Sequence, residues 1–168
     1  ASNNTAVGFK AGNSNTTGAY NTFLGDIAGR DNTTGSSNTA VGYGTMFEGT
    51  TTGSSNTAVG TVSMQNLSSG SYNVAIGTDS LKANTTASQN TAVGYQSLYT
   101  NTTGASLSAV GVGALYANTT GSNNVAMGTS SLVSNTTGAS NTGLGRDALR
   151  SNTTASNNTA VGYLALTA

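Results

Sequence analysis

The stretch "NTTGSSNTAVGYG", Asn32 to Gly44, returns as "NTTASQNTAVGYQ" from Asn84 and as "NTTASNNTAVGYL" from Asn152. A phrase rewritten this often describes a repeat and not a site. Aligned on the Asn of "NTAVG", the copies start at Asn4, Asn21, Asn38, Asn56, Asn73, Asn90, Leu107, Asn124, Asn141 and Asn158. Every step is 17 residues except one of 18, and the extra residue falls near "EGTTTG", Glu48 to Gly53, where Gly and Thr can absorb a bulge at a turn. Repeat positions are numbered below from that Asn as position 1.

A fixed short period marks repeat architecture. Seventeen residues are too few for the helical pairs of about 33 to 47 residues found in α-solenoids, and the positions show no helical period. One coil of a parallel β-solenoid fits. The sequence therefore predicts an all-β parallel β-roll, one 17-residue repeat per coil, about ten coils, spanning residues 1–168 as a single segment. Both ends of the sequence fall inside a repeat, which leads one to expect a piece of a longer fibrous protein.

Within the repeat, position 4 is always apolar (Val7, Leu24, Val41, Val59, Ile76, Val93, Val110, Met127, Leu144, Val161) and position 2 is Thr, Ser or Val. Two residues apart, they share one strand face, and the apolar content of position 4 makes that face the expected core. Val93→Asp would then unfold several coils, while Gln96→Asp would be tolerated. Position 3 between them is Ala except at Phe23 and Gly143. Pointing the other way, it offers a small-residue face for close approach of a second chain, an approach that Ala92→Arg should block. Position 5 is Gly in every copy, and position 9 becomes Leu from Leu81 onward, a second apolar layer.

Asn fills position 1 except at Leu107, and it fills position 12 at Asn15, Asn32, Asn84, Asn101, Asn118, Asn135 and Asn152. Stacked about 4.8 Å apart, identical amides can hydrogen-bond along the axis as a ladder. Leu107 and Leu67 stand in these two series, so both series belong inside or half inside. The same "NTT" words are glycosylation sequons, but a ladder role for Asn accounts for them better, because glycans on successive coils would collide.

Composition narrows the function. Apolar residues make up 35% of the chain, with three Phe and no Trp, which is thin for a compact globule. Charged residues make up 6%, where about 25% is usual, and five basic residues balance five acidic ones. No basic stripe invites nucleic acid, and no apolar run is long enough to insert in a membrane. There is no Cys for a disulfide or a thiolate site. With no His, and with Asp26, Asp31, Glu48, Asp79 and Asp147 spread over variable positions, no acid–base pair or triad is expected. Neither a calcium "GGxGxD" ladder nor a phosphate loop is present. The expectation is a non-enzyme with no catalytic, cofactor or metal site. Aromatic residues gather at position 6 (Phe9, Tyr43, Tyr95, Tyr163), position 10 (Tyr99, Tyr116) and position 17 (Tyr20, Tyr72), as packing groups or as glycan-binding ones.

"NVAIG" at Asn73, "NVAMG" at Asn124 and the recurrent "NTAVG" resemble the head and stalk repeats of trimeric autotransporter adhesins, whose coils are shorter. The longer "NTTGSSNTAVGYG" resembles the repeats of bacterial and phage tail-fibre-like proteins. The resemblance covers the whole chain. It implies a left-handed roll, a parallel homotrimer or filament, and presentation outside the cell, at the cell surface or in a virion fibre, as a structural and adhesive segment that meets a surface glycan or receptor. The alternative is an ice-binding β-solenoid using ordered Thr and Asn columns. Against it, positions 6, 7 and 10 vary widely, and of the adjacent Thr positions 13 and 14 only one can face out.

Overall fold

A computed structural model describes residues 1–167. Ten three-residue strands follow one another along the chain: β1 (Thr5–Val7), β2 (Thr22–Leu24), β3 (Thr39–Val41), β4 (Thr57–Val59), β5 (Val74–Ile76), β6 (Thr91–Val93), β7 (Ser108–Val110), β8 (Val125–Met127), β9 (Thr142–Leu144) and β10 (Thr159–Val161). They form one parallel sheet in strict sequence order. Like pairs with like: Val41 lies between Leu24 and Val59, and Ala92 between Ala75 and Ala109. Each repeat is thus one turn of a parallel β-solenoid, and the 18-residue repeat keeps the register of the strands on either side of it.

The rest of each coil is turn-like and is held to its neighbours by backbone hydrogen bonds. Positions 7, 9 and 17 carry non-glycine residues at positive φ, such as Gln96 (54°), Leu98 (51°) and Gln89 (64°). That region disfavours L-residues, leucine included. Here the twist turns each N–H along the axis: Leu98 donates to Ala114 O at 3.0 Å, and Gln96 and Gln89 donate to Thr78 O and Ser71 O at 3.1 Å. Position 5 is more demanding. Its glycines lie at φ between 125° and 136°, a region open essentially to glycine alone. A Cβ on Gly94 would also stand 2.5 Å from Gly111 O in the next coil. Both conditions account for the invariance of the series.

The strand faces the opposite way from the expectation. Position 3 is the core position: Ala40, Ala58, Ala75, Ala92, Ala109 and Ala126 are wholly buried. Position 4 faces out, with Ile76, Val110 and Met127 exposed and Val93 half-buried. The reason is volume. The interior opposite the strand is already filled by Met46, Met64, Leu81, Leu98, Leu115, Leu132 and Leu149 from position 9, all buried, which leaves room only for a methyl group. The small-residue face is therefore sealed inside the coil and offers no surface to a second chain, and Val93 is no core spine.

The two Asn series line the remaining interior. Asn21, Asn38, Asn90, Asn32, Asn101 and Asn118 are all at most 1% exposed. Where an Asn precedes it in the series, the position 12 amide donates along the axis, Asn32 Nδ2 to Asn15 Oδ1 at 2.9 Å and Asn118 Nδ2 to Asn101 Oδ1 at 2.9 Å. It also donates within its own coil to the position 15 carbonyl. Position 1 works differently: Asn21 Oδ1 accepts the backbone N–H of Asn38 in the next coil at 2.8 Å, while Asn21 Nδ2 donates to Gly35 O at 2.9 Å. Gly35 O thus receives both Asn21 and Asn32, and the two amides clamp one carbonyl. Among the described residues, no buried side-chain nitrogen or oxygen lacks a partner. That completeness matters in so polar an interior, because an unpaired buried polar group costs about 1–3 kcal/mol. In the bulged repeat the buried place falls to Thr51, whose hydroxyl donates to Leu67 O at 2.9 Å.

Candidate functional site

With positions 1, 3, 8, 9, 12 and 15 turned inward, whatever this segment meets must be met by the outward positions. They divide into two sectors of different chemistry. All ten charged residues stand at positions 6, 7, 10 and 11, and none stands at positions 12 to 17 or 1 to 5 in any copy. One side of the coil is charge-free over its whole length.

The charge-free sector carries two long stripes. One is the outer face of the sheet, where position 2 (Thr, Ser or Val) alternates with the apolar position 4, from Val7 and Leu24 through Ile76, Val110 and Met127 to Val161. At about 4.8 Å per coil it runs roughly 45 Å. The second stripe is position 14: Thr17, Thr34, Thr86, Thr103, Thr120, Thr137 and Thr154 are exposed. Position 13 next to it is engaged in the ladder, since Thr102 Oγ1 donates to Thr119 O at 3.1 Å and Thr119 Oγ1 to Thr136 O at 3.1 Å. Of the two threonine series one is tied and the other faces solvent, as the alternation of the chain requires. The seven sequon asparagines belong to the inner ladder. The Asn84, Asn101, Asn118 and Asn135 amides are buried and hydrogen-bonded at both ends of their reach, so the folded chain does not offer them for glycosyl transfer.

Seven of the ten charged residues pair locally. Arg30 pairs with Asp31 at 2.7 Å, Lys82 with Asp79 at 2.9 Å, and Asp147 with both Arg146 at 3.1 Å and Arg150 at 3.5 Å. The hydrogen bond that Lys82 donates to Asp79 holds its ammonium above the ordinary lysine value, against the opposing pull of desolvation, and the bond to Asp31 does the same for Arg30. A raised cation contributes fully below its ordinary pKa and loses the contribution only as pH rises through the raised one. Both pairs therefore act across the neutral range. Among the described residues no three His, Cys, Asp or Glu gather as a group that could hold a metal ion. Among the described residues no helix is long and apolar enough to cross a membrane.

Aromatic residues split between the sectors. Tyr20 and Tyr72 at position 17 are exposed beside the charge-free stripes. At position 10, Tyr99 and Tyr116 stack at 5.1 Å with planes 1° apart, and Lys82 lies 5.6 Å over the Tyr99 ring. At position 6, Tyr43, Tyr95 and Tyr163 are exposed. A depression of about 350 Å³ lies on the last coil between Leu149, Asn152, Thr154, Asn158 and Leu166, where buried positions of earlier coils are open. It is an end of the stack and holds no convergent titratable groups.

No protein-family model matches this chain, and neither a curated protein nor a solved structure matches it.

Proposed function

We propose that this chain is a structural and adhesive segment of an extracellular or virion fibre, and that it self-associates as a parallel homo-oligomer, a trimer or filament, through the outer face of its sheet. The observation that carries the reading is the position 4 stripe: apolar side chains exposed or half-buried along the whole roll, within a sector that bears no charge. An apolar face of this length is uncommon on a monomer. A second copy supplies the same repeat at the same spacing, so parallel chains in register bring each aliphatic residue to its own equivalent around a fibre axis. The charged, variable positions 6, 7, 10 and 11 then face outward, where sequence can change without disturbing the assembly. The test is the mass of the assembly in solution: light scattering at micromolar concentration should give a multiple of the 16.5 kDa chain. A monomer would contradict the reading.

The position 14 stripe favours a second reading, an ice-binding solenoid. Its threonine hydroxyls are exposed, regularly spaced and, in Thr86, Thr103, Thr120 and Thr137, not drawn into the backbone ladder. A regular hydroxyl array can hold water in register with a lattice. Freezing hysteresis distinguishes the two readings: a gap between melting and freezing points at millimolar protein, abolished by Thr103→Lys and Thr120→Lys, supports ice binding, and no gap excludes it.

A further inference from the structure

We infer that Tyr99 and Tyr116 form a site of oxidative modification, where one-electron oxidation of both phenols by a haem peroxidase and hydrogen peroxide joins neighbouring coils through a dityrosine bond. The pair lies within one chain, so the inference goes beyond the fibre reading and does not depend on it.

Both residues stand at position 10, in coils 90–106 and 107–123. Their rings stack with centroids 5.1 Å apart and planes 1° apart, the one aromatic pair among the described residues. The backbone fixes that register: the Thr100 N–H donates to Tyr116 O at 3.2 Å, and Thr100 Oγ1 donates to the same carbonyl at 2.7 Å. Tyr99 O in turn accepts the N–H of Ala83 at 3.1 Å. Both residues are half-buried, so they are restrained and still reach solvent. Lys82, at the same position one coil earlier, lies 5.6 Å over the Tyr99 ring, which leaves Tyr116 as the phenol that Tyr99 can meet.

The chain has seven tyrosines, and the other five lack such a neighbour. In their own series Tyr43 stands between Asp26 and Thr61, Tyr95 between Thr78 and Val112, and Tyr72 between Ser55 and Gln89. A radical formed on one of these has no phenol stacked beside it in the same chain. One formed on Tyr99 or Tyr116 has its partner held in place, and proximity of that kind turns a chance encounter into a local step.

In that step each phenol gives up one electron and one proton. The two phenoxyl radicals form a carbon–carbon bond between the carbons ortho to their oxygens, and the hydrogen on each of those carbons moves to the phenolic oxygen as the rings regain aromaticity. Hydrogen peroxide takes up the two electrons and two protons and leaves as two molecules of water. The stack allows this. Turning both rings about their Cβ–Cγ bonds, a soft torsion, brings the ortho edges together without moving the ring centres. A biaryl bond sets those centres somewhat closer than the 5.1 Å of the stack, so the coils keep their spacing. With no Cys in the chain, the bond supplies the covalent tie between coils that a disulfide gives elsewhere.

The test exposes the folded chain at low micromolar concentration to a haem peroxidase and limiting hydrogen peroxide, then separates it by denaturing electrophoresis. Dityrosine fluorescence is expected in the band of the single chain, whose mass should be lower by two hydrogen atoms. Tyr99→Phe and Tyr116→Phe keep the ring and remove only the phenol, so each should keep the fold and lose the fluorescence of that band. Tyr95→Phe and Tyr43→Phe should leave it as in the parent. Oxidation should also raise the melting temperature of the parent by several degrees, as a bond closing a short loop does, and leave that of Tyr116→Phe unchanged. Light scattering before oxidation reports assembly separately, so a monomeric chain that still forms the bond strikes the fibre reading alone. No dityrosine in the single-chain band, its persistence in Tyr99→Phe or Tyr116→Phe, or an unchanged melting temperature of the oxidised parent would overturn the inference.

Discussion

The Phe23 ring occupies the space that a side chain at Gly12 would need: a Cβ built there would stand 2.6 Å from Phe23 Cδ2. Gly29 in the same coil as Phe23 is blocked by the same ring. Elsewhere the interior is made of Ala, once Gly, at position 3 and Leu or Met at position 9, and here one large residue at position 3 is answered by glycine at position 9 in two adjacent coils. Phe23→Ala should leave a cavity and destabilise by about 3–5 kcal/mol. Adding Gly29→Leu should recover part of the loss, because position 9 holds leucine at φ near Gly29's 59° in later coils. Urea melts of the single and double variants check this. A double variant no more stable than Phe23→Ala would refute the exchange of volume.

Ala109 is buried and Val110 next to it is 39% exposed, so adjacent residues should respond oppositely to the same charge. Ala109→Asp puts an unpaired carboxylate in the interior at a cost of several kcal/mol and should unfold neighbouring coils. Val110→Asp should keep the fold. Far-ultraviolet circular dichroism melts separate the two, and equal melting temperatures would reject the strand orientation.

Gly94 and Gly113 are both glycines at positive φ, yet only one is irreplaceable. Gly94→Ala meets the Gly111 carbonyl and a φ of 132°, and should cost at least about 2–3 kcal/mol. Gly113→Ala, with open space and a φ shared by non-glycine neighbours, should be neutral within about 0.5 kcal/mol. Denaturant midpoints for the pair decide it.

Asn118 sits in the middle of the amide ladder, giving to Asn101 and Gly121 and receiving from Asn135 at 3.0 Å. Asn118→Asp removes its donors and buries a charge, so its folded-state pKa is raised above the unfolded one. The folded state then holds the extra proton between the two values, and stability should increase as pH falls through the raised pKa. Asn118→Leu should show no such dependence, since leucine occupies the equivalent buried place at Leu67. Melting temperature against pH from 4 to 8 tests the sign. A flat profile for Asn118→Asp would place the residue outside the interior.

Much of this architecture could be read from the sequence. The constant 17-residue step fixes one coil per repeat, and the in-register pairing of like residues, the absorbed 18th residue and the inner amide columns all follow from it. Leu67 and Leu107 gave the burial of those columns away. The orientation of the strand could not be read from residue size alone. Position 4 is more apolar than position 3, but the interior space was already claimed by leucine from across the coil, and only a comparison of the two positions reveals it, as Phe23 with Gly12 and Gly29 shows. The segregation of charge to positions 6, 7, 10 and 11 was present in the repeat alignment.

The central claim is that the roll turns its alanines inward and joins its copies through the aliphatic stripe outside. Light scattering of the parent chain beside Val110→Asp, at the same micromolar concentration, tests it most directly. A multiple of 16.5 kDa for the parent, falling to a folded 16.5 kDa monomer for Val110→Asp, is the predicted result. A monomeric parent, or a variant that assembles as the parent does, would contradict it.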